Sequence, residues 1–343
     1  MILHLVVCSH IREQNAVAQH FLLSKSARSL SLASVFRMSD IEAETAFAKA
    51  RWPETNGAPV CPHCGGLEPF QDRRKGGSLR FRCKACRGSF SLTSDTLFAF
   101  HKLPLRTYLA AIVIFCNEVK GKSALALSRD LSVQYKTTFV LAHKMREAMA
   151  SEMKGAHVGG VGKVAEVDGA YFGGYIKPAN HVENRRDRRL AINQNGKRKV
   201  VVVIRERDGR TLSHVFKTEA ASASFIKSRV AKGTEIMADE ANSWNGLQTA
   251  FPMKRINHQE AYSADGACTN EAEGLFSRLR RAEVGHHHHI SGVYLARYAS
   301  ESAWRDDHRR MSNGEQFRAV VSLAGKSKPS VDFCGYWQRA RAA

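Results

Sequence analysis

The fold is decided by the stretch Val164-Ala-Glu-Val-Asp-Gly-Ala-Tyr-Phe172, which Gly173 and Gly174 follow. Its first half is a short apolar run, typical of a buried β-strand, and it delivers the carboxylate of Asp168. Two further acids have comparable settings, since Asp239 ends another short apolar run and Glu273 lies near the start of a predicted helix. Carboxylates brought together from strand ends and a helix can hold hard divalent cations, which prefer oxygen ligands.

The chain is strongly basic. Its 343 residues include 52 Lys and Arg against 32 Asp and Glu, which gives a net charge of +20 and a pI near 9.9. Because Lys and Arg side chains on phosphates release counterions, this bias favours DNA or another nucleic acid as partner. No run reaches the roughly 18 apolar residues of a membrane span, and the scattered cysteines are typical of a reducing compartment. We therefore expect a cytoplasmic protein with no membrane partner.

Four of the eight cysteines form two Cys-x2-Cys knuckles, Cys61-Pro-His-Cys64 and Cys83-Lys-Ala-Cys86, with 18 residues between them. This spacing is typical of a zinc ribbon, in which four thiolates close a tetrahedral site. Four protein ligands leave no position for water, so the predicted Zn²⁺ is structural. Two unrelated cysteine pairs are the alternative.

A helical region follows the ribbon. An apolar helix is predicted from Leu105 to Val119, and a helix, a short turn near residue 132 and a second helix come next. This pattern indicates a helix-turn-helix, whose second helix would present its first residues to a DNA groove. Those residues are Gln134, Lys136 and Thr137. An ordinary helical hairpin is the alternative.

From Lys163 onward the period becomes strand-like. The stretch Val164–Val167 leads to the first acid, and Lys199–Ile204 and Thr211–Phe216 read as a hairpin around Asp208-Gly209. A helix over Ala220–Ala231, a strand over Glu235–Ala238 and a helix from Asn270 complete the order. This order predicts an α/β ribonuclease-H-like core, a mixed sheet flanked by helices. Each acid also has a structural alternative: Asp168 and Asp239 as strand-end turn residues, and Glu273 as half of a helix cap with Asn270.

At this point the residues resemble a known family, the IS1595-type insertion-sequence transposases, with an ISXO2-like catalytic domain behind a zinc ribbon. The resemblance runs from about residue 40 to about 315. It depends on Cys61-Pro-His-Cys64, Glu166-Val-Asp-Gly-Ala-Tyr-Phe-Gly-Gly174, Asp239-Glu-Ala-Asn-Ser-Trp244, Thr269-Asn-Glu-Ala-Glu-Gly-Leu-Phe-Ser-Arg-Leu-Arg-Arg281, Gly285 with the histidine run, and Arg297-Tyr-Ala-Ser-Glu-Ser-Ala-Trp-Arg305.

The resemblance implies a bacterial DDE-type DNA transposase that uses Mg²⁺ or Mn²⁺, with two ions in the site. Asp168 and Asp239 match the first two family acids. The family position for the third is Asn or Glu; we choose Glu273, because a carboxylate is the better ligand, and keep Asn270 as alternative or auxiliary. Arg280, two helical turns after Glu273, would hold DNA phosphate. A homo-oligomer on DNA and association with the nucleoid are also expected. A DNA-binding regulator with an inactive core and a host nuclease of the same fold are the rival functions.

The sequence predicts five segments. They are a disordered or misannotated extension (1–37), the zinc ribbon (38–98), the helix-turn-helix region (99–155), the catalytic domain (160–315) and a basic tail (316–343). A basic insert between the first two core strands is predicted to contact the DNA backbone through Arg185, Arg186, Lys197 and Arg198. Within the run His286–His289, His288 or His289 is a candidate for DNA or active-site contact, with a solvated loop as alternative.

Overall fold

The computed structural model describes residues 21–339 except 75–76, 101, 175–176, 188–189, 194–195, 259, 262 and 264–265. The helices are α1 (Leu32–Arg37), α2 (Asp40–Arg51), α3 (Leu105–Asn117), α4 (Ala124–Leu131), α5 (Tyr135–Met153), α6 (Ala223–Arg229), α7 (Asn270–Ala282), α8 (Leu295–Asp307), α9 (Asn313–Lys326) and α10 (Tyr336–Arg339). The strands are β1 (Phe70–Arg73), β2 (Leu79–Arg82), β3 (Ser89–Phe90), β4 (Val158–Gly159), β5 (Val164–Phe172), β6 (Lys199–Glu206), β7 (Thr211–Phe216), β8 (Val230–Ala231), β9 (Glu235–Asp239) and β10 (Met253–Ile256).

Short 3-10 helices and one π-helical turn complete the described elements. The 3-10 helices are Phe21–Leu23, Pro53–Thr55, Val182–Asn184, Ala191–Asn193, Ala220–Ser222 and Asn242–Leu247, and the π turn is Glu283–His287. The helix predicted over Ala220–Ala231 is therefore wrong in its extent. It is a 3-10 turn and the short α6, and it ends where the β-branched Val230 enters β8 and pairs with Val158 of β4.

The chain divides into two compact units, residues 1–117 with 308–328 and residues 118–307 with 329–343. In the first unit, β1, β2 and β3 form a small antiparallel sheet, and α1, α2, α3 and α9 pack together. The side chains of Val35, Phe47 and Leu109 are fully buried there. The guanidinium of Arg51 donates to the backbone carbonyls of Ser91 and Ser94 (3.1 and 2.8 Å), which ties α2 to the segment after the ribbon.

Two predicted terminal segments contain regular structure. Of the predicted extension, residues 1–20 lie outside the described part of the chain, whereas α1 begins at a Ser31 cap that accepts from the Ser34 N–H. In the predicted basic tail, α9 begins with a capping box between Ser312 and Glu315 and buries one apolar face. The apolar residues of that face have helical spacing, but the basic composition of the segment led us to predict a tail without a helix. The five-part division of the sequence stays a prediction.

The second unit is built on a mixed five-stranded sheet of order β10-β9-β5-β6-β7. β5 is antiparallel to β6 and parallel to β9, β6 and β7 are antiparallel, and β9 and β10 are parallel. Helix α6 lies against one face of the sheet, and α7 and α8 lie against the other. The run Val200–Ile204 is buried throughout because its alternate side chains enter both of these cores. A mixed sheet with flanking helices, as predicted, is confirmed.

Candidate active site and metal centres

The four cysteines of the two knuckles meet, and their sulfur atoms all lie within 4.8 Å of one another. Sγ of Cys61 is 3.7 Å from Sγ of Cys86, and Sγ of Cys64 is 3.5 Å from Sγ of Cys83. Tetrahedral Zn²⁺ with Zn–S bonds of about 2.3 Å requires sulfur atoms about 3.8 Å apart. The donor set and its spacing therefore fit a structural zinc ion. Within the described residues, no other group of His, Cys, Asp or Glu side chains is as tightly gathered.

Asp168 and Asp239 lie side by side in the central sheet. The parallel register of β5 and β9 pairs Val167 with Ala238, so the next residue of each strand is one of the two acids. Val167 and Ala238 both enter the core on the α6 face. Because side chains alternate along a strand, both carboxylates point to the face that carries α7.

Backbone and indole groups orient the two aspartates. Oδ1 of Asp168 accepts the N–H of Gly169 at 2.7 Å. Oδ1 of Asp239 accepts Nε1–H of Trp244 at 2.6 Å and the N–H of Ala241 at 3.2 Å. Since Trp244 is buried in the core beneath the sheet, Asp239 is held by a rigid donor.

The acids influence one another electrostatically. The pKa of Asp168 is raised to about 7, mainly by burial and also by the negative charges of Asp239, Glu273 and Glu219, while the Gly169 N–H lowers it. The structure thus brings Asp239 and Glu273 within electrostatic range of Asp168. It also adds Glu219, a fourth acid that the sequence analysis did not find.

Glu273 lies on α7, and the hydrogen bonds at the start of this helix rule out the alternative in which Glu273 and Asn270 form its N-terminal cap. The helix begins at Asn270, its N-cap residue Thr269 makes no side-chain cap, and Glu273 is one position too far along to reach back. A carboxylate from β5 caps α7 instead. Oε2 of Glu166 accepts the N–H groups of Glu271 and Ala272 at 2.8 and 3.1 Å.

The side chain of Glu273, which does not cap the helix, contacts the imidazole of His258, with 3.4 Å between Oε1 and Nε2. Asn270 is exposed at the first position of the helix. The charge of Glu273 acts on Asp168. We therefore keep Glu273 as the third acid and Asn270 as the alternative.

Glu219 lies immediately before the 3-10 turn Ala220–Ser222, beyond the end of β7. Its Oε2 accepts a hydrogen bond from Oγ of Ser243 at 3.2 Å. A Cβ atom at Gly169 would lie 2.9 Å from Cγ and 3.1 Å from Oε1 of Glu219, so this side chain lies over β5 at the position next to Asp168, on the α6 face. Burial raises the pKa of Glu219, the Ser243 hydrogen bond opposes this, and the charge of Asp239 raises the pKa further. In the sequence, Lys217-Thr-Glu-Ala220 resembles any polar loop, so no local signal marks this residue.

The chemistry of these donors fits Mg²⁺ or Mn²⁺. Carboxylate oxygens are the ligands that such ions prefer, and Mg²⁺ takes one or two carboxylates while it keeps several waters. The carboxylates are more widely spread than the zinc-ribbon sulfurs among the described residues.

The residues predicted to contact DNA at the helical pair lie at the start of α5. α4 ends at Ser132, whose φ of 51° reverses the chain, and α5 begins at Tyr135 after Gln134. Gln134 and Lys136 are exposed and Thr137 is half-buried. The backbone carbonyl of Lys136 accepts from Nε1 of Trp337 (3.1 Å), and its ammonium lies 5.4 Å from the centre of that indole ring. The C-terminal segment of this unit thus contacts one of the three residues.

The basic insert and Arg280 lie on the surface. Arg185 and Arg186 are exposed, and the guanidinium of Arg185 donates to the carbonyls of Ala179 and Asn180 (3.1 and 3.2 Å). Lys197 is exposed too. The guanidinium of Arg198 lies 4.9 Å from the ring centre of Tyr171, and that of Arg280 lies 5.7 Å from the ring centre of Phe172. Both rings belong to the end of β5 beyond Asp168, so these two cations flank the strand that carries the first acid.

The histidine run divides in two. His286 and His287 belong to the π turn that continues α7, while His288 and His289 are exposed. Burial lowers the pKa of His287 to about 4, and the charge of Arg146 lowers it as well. The ring of His287 packs on the edge of Tyr298, with ring centres 4.7 Å apart. His286 and His287 are therefore part of the packed structure, and only His288 and His289 resemble the solvated loop given as the alternative.

Comparison with known families gives two matches. Residues 152–307 match the ISXO2-like transposase domain, and residues 38–89 match the transposase zinc-ribbon domain of the IS1595 family. These matches confirm the resemblance seen in the sequence. No curated protein matches the chain. No described helix has the length and apolar character needed to cross a membrane.

Proposed function

We propose, from the match of residues 152–307 to a transposase domain family, that the protein is an insertion-sequence transposase with a ribonuclease-H-like core. It would cleave DNA at the ends of its element and join the freed 3′-hydroxyl to target DNA. The single observation that carries this proposal is that Asp168 and Asp239 follow a paired position on the adjacent strands β5 and β9, while the charge of Glu273 on α7 acts on Asp168.

Asp168, Asp239 and Glu273 are proposed to hold two divalent ions, with Asn270 as auxiliary ligand. When bound, such ions polarise the phosphodiester and stabilise the attacking and leaving oxygens of an in-line displacement. The chain supplies rigid placement. Trp244 and the N–H of Gly169 fix the orientation of the two aspartates before substrate binds, which lowers the entropic cost of reaching the reactive geometry.

In the first step, water attacks the phosphorus at the element end, the P–O3′ bond breaks, and the 3′ oxygen takes a proton. In the second step, this 3′-hydroxyl loses its proton and attacks a phosphorus of the target strand, and the 3′ oxygen of that strand leaves. The same acids would serve both steps, because both are in-line displacements at a phosphodiester.

The DNA would be bound through basic and polar side chains outside the acid cluster. Arg198 and Arg280 flank β5 and would contact phosphates next to the reacting bond. We propose that α4 and α5 form a helix-turn-helix that uses Gln134, Lys136 and Thr137. The zinc ribbon and the insert with Arg185, Arg186 and Lys197 are proposed as backbone contacts. A homo-oligomer assembled on DNA is part of the same proposal.

The test is a strand-transfer assay with DNA that carries the sequences flanking the gene and with Mg²⁺. Asp168→Asn, Asp239→Asn and Glu273→Gln should each abolish joining, whereas Glu68→Gln, whose side chain is 88% exposed on the zinc-ribbon unit, should retain it. Full joining by Asp168→Asn would refute the proposed site. Tight binding without cleavage by the unaltered protein would indicate a regulator, and cleavage of unrelated DNA without joining would indicate a nuclease.

A further inference from the structure

We propose that Glu219 is a fourth carboxylate ligand of the active-site metal ions, in addition to Asp168, Asp239 and Glu273. The inference rests on the proposed function, since it adds a residue to the same site. The resemblance to the family assigned three acids and left this one out.

The first argument is position. The side chain of Glu219 lies so close over Gly169 that a Cβ atom there would be 2.9 Å from its Cγ. Gly169 directly follows Asp168 in β5, and its Cβ position faces α6, so Glu219 reaches the acid site from the face opposite to α7. The pairing of β5 with β9 ends at Val167 and Ala238, so carboxylates from the two faces can meet at the edge of β5 beyond that pair. A Cβ atom at position 169 would therefore push the side chain of Glu219 aside. Gly169 thus leaves room for the side chain of Glu219 and does not serve a turn.

The second argument is orientation. The 3-10 turn Asn242–Leu247 follows Asp239, and two neighbouring residues of it donate to two different acids. Ser243 donates to Oε2 of Glu219, and Trp244 donates to Oδ1 of Asp239. One short turn therefore fixes both carboxylates at once. Each hydrogen bond uses one oxygen, and the other oxygen stays available to a ligand.

The third argument is charge. Glu219 interacts with Asp168 and with Asp239, and both of these pairs are of like sign. Half-buried carboxylates held together without a cation repel one another, which disfavours the arrangement unless a cation compensates it. Two divalent ions carry four positive charges. A fourth carboxylate gives the site four negative charges, so the ions are neutralised before the phosphate arrives.

The experiment is Mn²⁺ binding by the zinc-loaded full chain, measured from the EPR signal of free Mn²⁺ without DNA. Glu219→Gln keeps the size of the side chain and removes its charge, so its Mn²⁺ affinity should fall by about ten- to a hundred-fold. Ser243→Ala should weaken binding less, since it removes only the hydrogen bond. Gly169→Ala should weaken binding because it displaces Glu219. Glu68→Gln is the matched control and should bind as the unaltered chain does.

The outcomes separate this inference from the proposed function. If Asp168→Asn loses Mn²⁺ binding and Glu219→Gln keeps it within two-fold, Glu219 is not a ligand and the transposase proposal stands. If Asp168→Asn also keeps its binding, both proposals fail. A purely structural role for Glu219 predicts altered thermal unfolding without Mn²⁺ and unchanged Mn²⁺ affinity, and that result would overturn the inference as well.

Discussion

Removing the side chain of Glu166 should be costly for the stability of the second unit, although we assign it no contact with substrate. It is 1% exposed, and it joins three elements. Its Oε2 accepts the N–H groups of Glu271 and Ala272 at the start of α7, and its Oε1 lies 3.1 Å from Nε of Arg207. Glu166→Ala therefore removes a helix cap and one half of a largely buried ion pair.

The magnitude follows from these contacts. Loss of a helix cap costs about 1 kcal/mol, and breaking a buried pair by removing one partner costs about 3–5 kcal/mol. Arg207 is 30% exposed and regains some water, so we expect the free energy of unfolding to fall by about 3–4 kcal/mol in total. Glu166→Gln keeps an acceptor oxygen for the helix and loses the charge, and it should cost about 1–2 kcal/mol.

The assay is urea unfolding followed by the fluorescence of the buried Trp244 and Trp304, together with hydrogen exchange of the α7 amides. Glu235→Ala is the matched control. Glu235 also lies on a strand, but it makes only a partly exposed ion pair with Lys254, so this substitution should lower the free energy of unfolding by less than about 1 kcal/mol. If Glu166→Ala costs no more than this control, or leaves exchange in α7 unchanged, the carboxylate does not hold the helix.

Three further predictions concern the zinc, the pH dependence and the DNA. Cys83→Ser should remove the bound zinc, measured by metal analysis of the purified chain, and unfold the ribbon, whereas Cys334→Ser, outside the cluster, should keep it; retained zinc would contradict the four-thiolate site. The pKa of His143 is lowered to about 2, first by burial and then by the charges of Arg146, Arg297 and His287. The neutral form of His143 therefore stabilises the fold at pH values above its unfolded pKa, near 6.5. That stability is lost as the pH falls below 6.5. Between pH 7.5 and pH 5 the unfolding free energy should drop by about 2 kcal/mol from this group, and His143→Phe should remove that drop; an equal drop in the variant would refute the assignment. Changing Arg185 and Arg186 together to Ala should reduce the slope of log affinity against log salt for DNA by about 2, and an unchanged slope would show that they bind no phosphate.

Elements with a strong period could be predicted from the sequence. The alternation and apolar runs around Asp168 and Asp239 placed both acids correctly on strands, because a strand buried on both faces has a composition that few other elements share. The cysteine spacing placed the zinc site, because a metal ligand set leaves little freedom in local geometry. Short elements were harder. The helix expected over Ala220–Ala231 gives way to β8 because Val230 gains a strand partner far away in the sequence.

The capping of α7 could not be predicted for a related reason. Asn270 and Glu273 have the spacing of a local cap, and local spacing was all that the sequence offered. The structure uses Glu166 instead, which is more than a hundred residues away. A signal was present, since Glu166 is a charged residue on the same strand face as Asp168, two positions before it. A buried carboxylate needs donors, and a helix N-terminus with no side-chain cap needs an acceptor.

Glu219 shows where sequence reasoning must stop and why Gly169 matters to it. Gly169 lies inside β5, pairs with Val202 and carries no positive φ. Conformational freedom therefore does not explain this glycine, whereas the 2.9 Å approach of Glu219 does. A residue kept small inside a strand marks the close approach of another group. The glycine beside the first acid is thus the one trace that a fourth carboxylate leaves in the motif, and only the three-dimensional structure says which carboxylate it is.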